Sequence, residues 1–158
     1  MEKLDVYDIN GNKTGKIINR GEKTSEGEYI KLVIVYLKAK GYYLMQKCSV
    51  QKGGEYAITG GHVSSGNTCE QQCVIEVQEE LGLNIQPNKL QYLGNIFRGK
   101  AIFEVYLYED DSLLDFDFVL QEEEVESVNW LTKQQIVDLI NQGVVRESSV
   151  MHFNKYIK

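Results

Sequence analysis

The apolar residues of this chain fall into short runs that are typical of β-strands. Aliphatic and aromatic side chains dominate the runs, and residues that favour turns separate them. The runs lie at residues 4–7, 14–19, 29–38, 42–47, 90–97 and 101–108. Tight turns are expected between successive pairs of runs, at Asn10-Gly11, Lys40-Gly41 and Arg98-Gly99. The pattern therefore predicts three β-hairpins.

The segment from residue 69 to residue 81 has the period of an α-helix. Its apolar residues recur every three or four positions and predict a buried stripe formed by Cys69, Cys73, Val74, Val77 and Leu81. Asn67 is the expected N-cap, with Glu70 as its reciprocal partner three residues later. Gly82 is expected to end the helix, because glycine readily adopts the left-handed conformation found at helix C-termini.

The C-terminal part of the chain returns to a strand and then to helices. Residues 125–131 are predicted to form a strand, Thr132 to cap the next helix, and residues 148–157 to form a last helix. Predicted strands thus precede and follow the helix at 69–81. This order predicts an α+β fold in which a central mixed sheet lies between helices.

Composition and charge set bounds on the class of protein. A length of 158 residues with 42% apolar residues favours one globular domain that spans residues 1–158. The net charge of −6 disfavours nonspecific nucleic-acid binding, which requires a basic surface. The N-terminal segment is polar and no apolar run approaches membrane-spanning length, so we expect a cytoplasmic protein without a membrane partner. The three cysteines are expected to be reduced.

Three glutamates on the first predicted helix carry the strongest chemical signal in the sequence. Glu76, Glu79 and Glu80 lie at positions i, i+3 and i+4, which fall on one side of a helix. Like charges at this spacing cost about 0.2–0.5 kcal/mol per pair. A hard divalent cation with oxygen ligands offsets such repulsion, so the cluster predicts a metal site. The alternative interpretation is a solvated acidic face.

The segment from Gly61 to Leu83 resembles the signature of the Nudix hydrolases, in which a glycine loop leads into a helix with acidic residues. The positions that match at the spacing of the signature are Gly61, Glu76, Val77, Glu79, Glu80, Gly82 and Leu83. Asn67 replaces the first glutamate of the signature, and Ile75 replaces an arginine. Both family residues are read as support for the metal ligands, and loss of such support costs about 10–100-fold in metal affinity or activity. The resemblance therefore implies a degenerate signature, with a weakened site or an inactive one.

This resemblance implies a Nudix-type α/β/α sandwich and a site that binds Mg²⁺ or Mn²⁺. Glu76, Glu79 and Glu80 correspond to catalytic metal ligands, and the Gly61 carbonyl corresponds to a backbone ligand. A further acidic ligand often comes from the loop before the strand that contains the tryptophan, where we prefer Glu124 among three glutamates. Similarity to the Nudix subgroup related to isopentenyl-diphosphate isomerase extends over residues 4–22, 44–49 and 59–63.

Four further side chains are candidates for binding the phosphates of a substrate: His62, Lys47, Lys52 and Arg98. His62 directly follows the glycine loop. The three basic residues are placed by strand and loop position to meet phosphate oxygens, and Lys52 alone is supported by the resemblance. The alternative for each of them is an ordinary solvated side chain.

Three functions remain open at this point. The leading one is a divalent-metal-dependent hydrolase of a nucleoside di- or triphosphate, or of another small molecule linked to a diphosphate. The second is a catalytically inactive Nudix-fold module that binds a ligand or regulates a partner. The third is an isomerase, an enzyme with a cysteine beside the glycine loop and a histidine-rich metal site. This chain has Thr59-Gly60-Gly61-His62 there and one other histidine.

The expected partner is a small-molecule diphosphate, with no nucleic acid and no membrane. Exposed strand edges are compatible with a homodimer.

Overall fold

Nine strands and three helices build the protein, and the computed structural model describes all 158 residues. The strands are β1 (Lys3–Tyr7), β2 (Lys13–Asn19), β3 (Ile30–Ala39), β4 (Tyr42–Cys48), β5 (Tyr56–Ala57), β6 (Gly60–His62), β7 (Gln91–Arg98), β8 (Ala101–Glu109) and β9 (Val125–Leu131). The helices are α1 (Cys69–Leu81), α2 (Lys133–Asn141) and α3 (Glu147–Tyr156). All the predicted strands and helices are present. The two short strands β5 and β6 were not predicted.

Seven of the strands form one mixed sheet around β3. Along the sheet the order is β5-β4-β3-β8-β7. Strand β3 runs parallel to β8, and the other pairs are antiparallel. The opposite edge of β3 is divided, since its first half pairs with β6 and its last two residues pair with β4. This division places the glycine-containing strand β6 beside the centre of the sheet.

Alternate residues of β3 face two different hydrophobic clusters. Val33, Val35 and Leu37 pack into the cluster that contains the buried face of α1. Ile34 and Tyr36 pack into the cluster that contains residues of α2 and α3. Because successive side chains of a strand point to opposite faces, β3 is buried on both sides and separates two layers of helix. The predicted α/β/α sandwich with a mixed central sheet is confirmed.

The first hairpin does not join this sheet. Strands β1 and β2 form a separate two-stranded sheet. Leu4, Val6 and Ile18 form a small buried cluster of their own. Two isolated bridges, Leu4 with Ser64 and Tyr7 with Tyr29, connect the hairpin to the rest of the protein. The sequence predicted the hairpin but not that it forms a sheet of its own. The alternation of apolar and polar residues specifies which face of a strand is buried, and it does not specify which sheet the strand joins.

The N-cap of helix α1 is Thr68, one residue later in the chain than predicted. The Thr68 hydroxyl accepts a hydrogen bond from the Gln71 amide at 3.1 Å, and the Gln71 side chain accepts one from the Thr68 amide at 2.8 Å. The predicted cap of Asn67 with Glu70 is therefore wrong. Asn67 with Glu70 and Thr68 with Gln71 both have the three-residue spacing of a capping box, so the spacing alone does not select the cap. The side-chain amide of Asn67 instead donates a hydrogen bond to Gln72.

The other predicted helix ends are confirmed. Gly82 ends α1 in the left-handed conformation with φ of 68°. Thr132 caps α2, since its side chain accepts a hydrogen bond from the amide of Gln135. None of the helices has the length and apolar content needed to cross a membrane.

Candidate active site

Two glycines bring the backbone of β6 against its neighbours. A Cβ atom on Gly60 would overlap the backbone carbonyl of Val33 in β3. A Cβ atom on Gly61 would overlap the carboxylate of Glu76 in α1. Both glycines are therefore required for close approach, and the second one sets where the Glu76 carboxylate can lie.

Glu80 is buried and Glu76 half-buried on the same side of α1, whereas Glu79 is exposed. Besides burial, the negative charge of nearby Glu76 raises the pKa of Glu80. Glu80 is only 6% exposed. The structure thus brings two of the three predicted acids together and contains no group of three or more His, Cys, Asp or Glu side chains placed to hold one ion.

No basic side chain neutralises this pair. None of the ion pairs of the protein involves Glu76 or Glu80. Burial raises the pKa of Glu80 to about 9 and also raises the pKa of Glu76, because a charged carboxylate loses its hydration in the interior. The pair therefore either holds a proton or requires a bound cation.

The carboxyl pair fits a divalent cation. Mg²⁺ typically binds one or two protein carboxylates and completes its coordination shell with water and substrate phosphates. Two acids are therefore enough ligands from the protein. Glu76 and Glu80 provide carboxyl oxygens without a competing ammonium or guanidinium group. The missing third acid does not conflict with this chemistry.

Gln72 orients the Glu76 carboxyl group. It is 2% exposed, and its Nε2 donates to Glu76 Oε1 at 2.9 Å. Its Oε1 accepts from the Ser64 amide at 3.0 Å and from Asn67 Nδ2 at 2.9 Å, which fixes the direction of the side chain. Asn67, the first departure from the signature, is thus part of a chain of hydrogen bonds that ends on Glu76.

Gln46 does the same for the Glu80 carboxyl group. Its Nε2 donates to Glu80 Oε1 at 3.0 Å, and its Oε1 accepts from the Thr59 hydroxyl at 3.0 Å. Neither glutamine was predicted from the sequence. A polar residue within the apolar run of β4 was the available signal for Gln46, and the i, i+4 spacing to Glu76 was the signal for Gln72.

A cleft of about 320 Å³ opens beside Glu80, and Glu76 is not part of its lining. Its lining includes five of the predicted site residues: Gly61, His62, Lys52, Glu80 and Glu124. Lys52 and Glu124 form an ion pair with 3.3 Å between Nζ and Oε1. Burial, and then the nearby Arg20 charge, lower the pKa of His62, so this imidazole is neutral at pH 7.

Lys47 and Arg98 do not line this cleft. Lys47 follows Gln46 on β4, so the alternation of the strand turns it to the opposite face, where it pairs with Glu126 at 2.9 Å. Arg98 ends β7 and pairs with Glu147 at 3.0 Å. The structure therefore does not bring these two predicted phosphate contacts to the other site residues.

Arg20 and Arg146 line the cleft, although the sequence did not identify them. Arg146 Nη2 lies 3.3 Å from Cys48 Sγ and 3.5 Å from the Lys52 carbonyl oxygen. Arg146 is 98 residues from Cys48 in the chain, so only the folded structure could reveal this contact. The cleft therefore has an acidic end at Glu80 and basic side chains elsewhere on its wall.

A larger cavity of about 700 Å³ lies at the start of α1, with Asn67 and Thr68 in its wall. Its wall contains Lys31 and Glu104, which neutralise each other at 2.7 Å. It contains neither Glu76 nor Glu80. We therefore assign the candidate active site to the smaller cleft.

Comparison with known proteins identifies the family. Residues 30–152 match the family model of the NUDIX domain. The chain belongs to the Nudix family. An uncharacterised Nudix hydrolase of Listeria monocytogenes is 30% identical over 150 residues, which cover 90% of this chain and 87% of that protein. A Nudix hydrolase of Arabidopsis thaliana is 26% identical over 158 residues, which cover 89% of this chain and 20% of that protein.

Solved structures share the Nudix fold. A Deinococcus radiodurans protein superposes with a TM-score of 0.83 and 19% identity, covering 99% of this chain and 100% of that chain. A bifunctional NMN adenylyltransferase/ADP ribose pyrophosphatase of Francisella tularensis, complexed with AMP and a Mn ion, superposes with a TM-score of 0.62 and 17% identity. That match covers 80% of this chain and 40% of that chain. At these identities the likeness concerns the fold alone.

The two glycines allow a matched pair of substitutions. Gly60→Ala meets backbone, so we expect it to lower the free energy of unfolding by about 1–3 kcal/mol. Gly61→Ala meets only the end of the Glu76 side chain, so it should cost less stability but weaken Mn²⁺ affinity by about 10-fold or more. Chemical denaturation and calorimetric titration measure the two effects. Wild-type Mn²⁺ affinity in a folded Gly61→Ala variant would contradict this placement of Glu76.

The raised pKa of Glu80 predicts a pH dependence of stability. The folded protein holds a proton that the unfolded chain releases above its ordinary carboxyl pKa, so this contribution is complete below about 4.5 and is lost as pH rises through about 9. In EDTA, Glu80→Gln should match wild type at pH 5 and exceed its free energy of unfolding at pH 9 by more than about 1 kcal/mol. Equal differences at both pH values would show that Glu80 has no raised pKa.

Proposed function

We propose that this Nudix protein is a divalent-metal-dependent hydrolase of a nucleoside di- or triphosphate, or of another small molecule linked to a diphosphate. The observation that carries the proposal is the Glu76–Glu80 pair, which has no basic partner and whose buried member, Glu80, lines a cleft with basic side chains on its wall. A metal–diphosphate complex has the complementary charges. The relatives named as Nudix hydrolases support the same class of reaction.

The proposed cofactor is Mg²⁺ or Mn²⁺. Glu76 and Glu80 would hold it, with the Gly61 carbonyl and Glu124 as further oxygen ligands and Glu79 as the remaining acid of the signature. When bound, such an ion neutralises phosphate charge and lowers the pKa of the water that attacks phosphorus. The Mn ion in the Francisella tularensis structure supports this choice by analogy of fold.

The chain's own residues bind and orient the substrate in this proposal. Lys52 lies beside Glu124 and therefore presents an ammonium group to phosphate oxygens close to the acidic end. Neutral His62 supplies a hydrogen-bonding ring on the cleft wall. Gln72 and Gln46 hold the two carboxyl groups in place before substrate binds.

The glutamine contacts favour an active enzyme over an inactive module. The departures at Asn67 and Ile75 remove a charged pair that the resemblance assigns to the support of the ligands. Asn67 instead supports Glu76 through Gln72, with neutral amide groups. We infer that orientation of the carboxyl pair is retained despite the changed signature.

The position of the second histidine favours hydrolysis over isomerisation. His152 is fully buried and contacts the Tyr36 hydroxyl through Nδ1 at 2.6 Å, within the core under α3. The cleft therefore contains one histidine, His62, and cannot assemble a histidine-rich metal site.

The test is a substrate screen with Mg²⁺ and with Mn²⁺. It should include nucleoside di- and triphosphates, dinucleoside diphosphates, sugar nucleotides and prenyl diphosphates. We expect hydrolysis of at least one class by wild type, and a loss of more than about 100-fold in the Glu76→Gln, Glu80→Gln double variant, beyond the effect of residues that only support a ligand.

A double variant at exposed positions, Glu26→Gln with Glu109→Gln, is the matched control for the change in net charge. It should hydrolyse substrate at the wild-type rate. A substrate that raises the melting temperature of wild type without being hydrolysed would favour the binding module instead.

A further inference from the structure

The larger cavity, of about 700 Å³, lies on the other side of β3 from the candidate cleft. Its wall includes Lys31 of β3, whereas the cleft is lined by the next residue of that strand, Leu32. Successive side chains of a strand point to opposite faces, so β3 separates the two spaces. Small-molecule sites commonly have volumes of about 300–1,000 Å³. The larger cavity therefore has room for a separate ligand, and it shares no residue with the candidate cleft.

A buried ion pair forms part of the wall of the larger cavity. Lys31 is 9% exposed and Glu104 is 8% exposed, and Lys31 Nζ lies 2.7 Å from Glu104 Oε2. Such a pair is costly to remove from water, and its replacement by apolar residues of similar volume is often neutral or stabilising. Stability alone therefore does not account for the pair. Its place on a cavity wall indicates a role in ligand recognition.

Both members of the pair retain hydrogen-bonding capacity toward a ligand. The Lys31 ammonium group has three donors, and Glu104 is its only carboxylate partner. Each carboxylate oxygen of Glu104 accepts from one protein group, Oε2 from Lys31 and Oε1 from the Tyr92 hydroxyl at 2.7 Å. A carboxylate oxygen can accept two hydrogen bonds, so one position remains on each. The pair therefore presents a donor beside an acceptor, without net charge.

Tyrosine rings supply a flat surface next to this pair. Tyr92 is 51% exposed, yet its hydroxyl bond to Glu104 fixes the ring, whose centroid lies 5.3 Å from that of Tyr106. The hydroxyl of Tyr106 in turn donates to Glu70 at 2.7 Å. An exposed ring that is held in one orientation suits the stacking of a flat heterocycle.

The charges of the wall are compensated within the protein. Lys31 pairs with Glu104, and Lys13 pairs with Asp5 at 3.2 Å. Glu70 lies in the first turn of α1, where a carboxylate complements the helix dipole. A charged ligand would have to displace one of these partners, so the wall favours an uncharged ligand.

We propose that the larger cavity is a second binding site, which takes the 6-oxopurine base of a nucleoside, such as hypoxanthine or guanine. The lactam group of such a base has an N–H donor beside a carbonyl acceptor. In the site the N–H donates to Glu104, the carbonyl accepts from Lys31, and the two fused rings stack on Tyr92. This binding requires neither a metal nor hydrolysis, so it does not depend on the proposed function.

Binding of inosine in EDTA tests the site, because inosine carries the lactam and has no phosphate to hydrolyse. Calorimetric titration of the full chain should show saturable binding. Purine riboside has the same fused rings without the lactam, and we expect its affinity to be lower by about 10-fold or more, since hydrogen bonds to charged groups are strong. No saturable binding of inosine, or equal affinity for the two nucleosides, would overturn the proposal.

Two variants locate the bound base. The double variant Lys31→Met, Glu104→Leu removes the donor and the acceptor, and it should lower inosine affinity by about 10-fold or more without lowering the melting temperature. Tyr92→Ala removes the stacking ring at a half-exposed position, and it should lower inosine affinity by about 5-fold or more. Tyr92→Ala keeps the test decisive if the double variant does not fold.

Matched controls lie outside the larger cavity. The double variant Lys47→Met, Glu126→Leu removes an ion pair at the surface, and Tyr42→Ala removes an exposed tyrosine. Both should bind inosine as wild type does, and so should Arg146→Gln, which alters the candidate cleft. Wild-type inosine affinity in either folded cavity variant would overturn the site. Loss of inosine binding in Arg146→Gln would place the base in the cleft and would also overturn it.

Discussion

The carboxyl pair of half-buried Glu76 and buried Glu80 is the constraint on which the rest of the site depends. Two acids without a basic partner are costly to remove from water, and further buried polar groups are needed to hold them in place. Gln72 and Gln46 donate one hydrogen bond to each acid. Gly61 leaves the space that the Glu76 carboxylate occupies. Hydrophobic packing alone does not explain this arrangement, because an apolar face of α1 would pack on β3 without these polar groups.

The topology explains why these groups meet. One edge of strand β3 pairs with both β6 and β4. The glycine backbone of β6 and the Gln46 side chain of β4 therefore approach α1 from two neighbouring strands. Helix α3 packs on the other face of the sheet and begins at the same cleft. The acidic end therefore comes from the layer of α1, and Arg146 comes from the opposite layer.

Periodicity and turn chemistry predicted most of the fold, because strands and helices of this chain follow their local patterns closely. Gly82 ended the first helix as expected. The predictions that failed are of two kinds. Some require a choice between neighbouring residues whose spacing is equally suitable, and others depend on contacts between residues far apart in the chain. Thr68 and not its neighbour forms the cap, Gln46 and not Lys47 faces the cleft, and Arg146 reaches the site from the last helix. Spacing on α1 likewise predicted three acids on one side of the helix, whereas only two of them are shielded from solvent in the structure.

The most direct measurement of the central claim is the number of protons released when Mn²⁺ binds at pH 7. Calorimetric titration in two buffers of different ionisation enthalpy gives this number. A carboxyl group whose pKa is raised to about 9 holds its proton at pH 7 and must lose it to bind an ion, so we predict release of about one proton per Mn²⁺. Glu80→Gln should abolish the release. Tight Mn²⁺ binding without proton release, or equal release in the variant, would contradict a metal site built on Glu76 and buried Glu80.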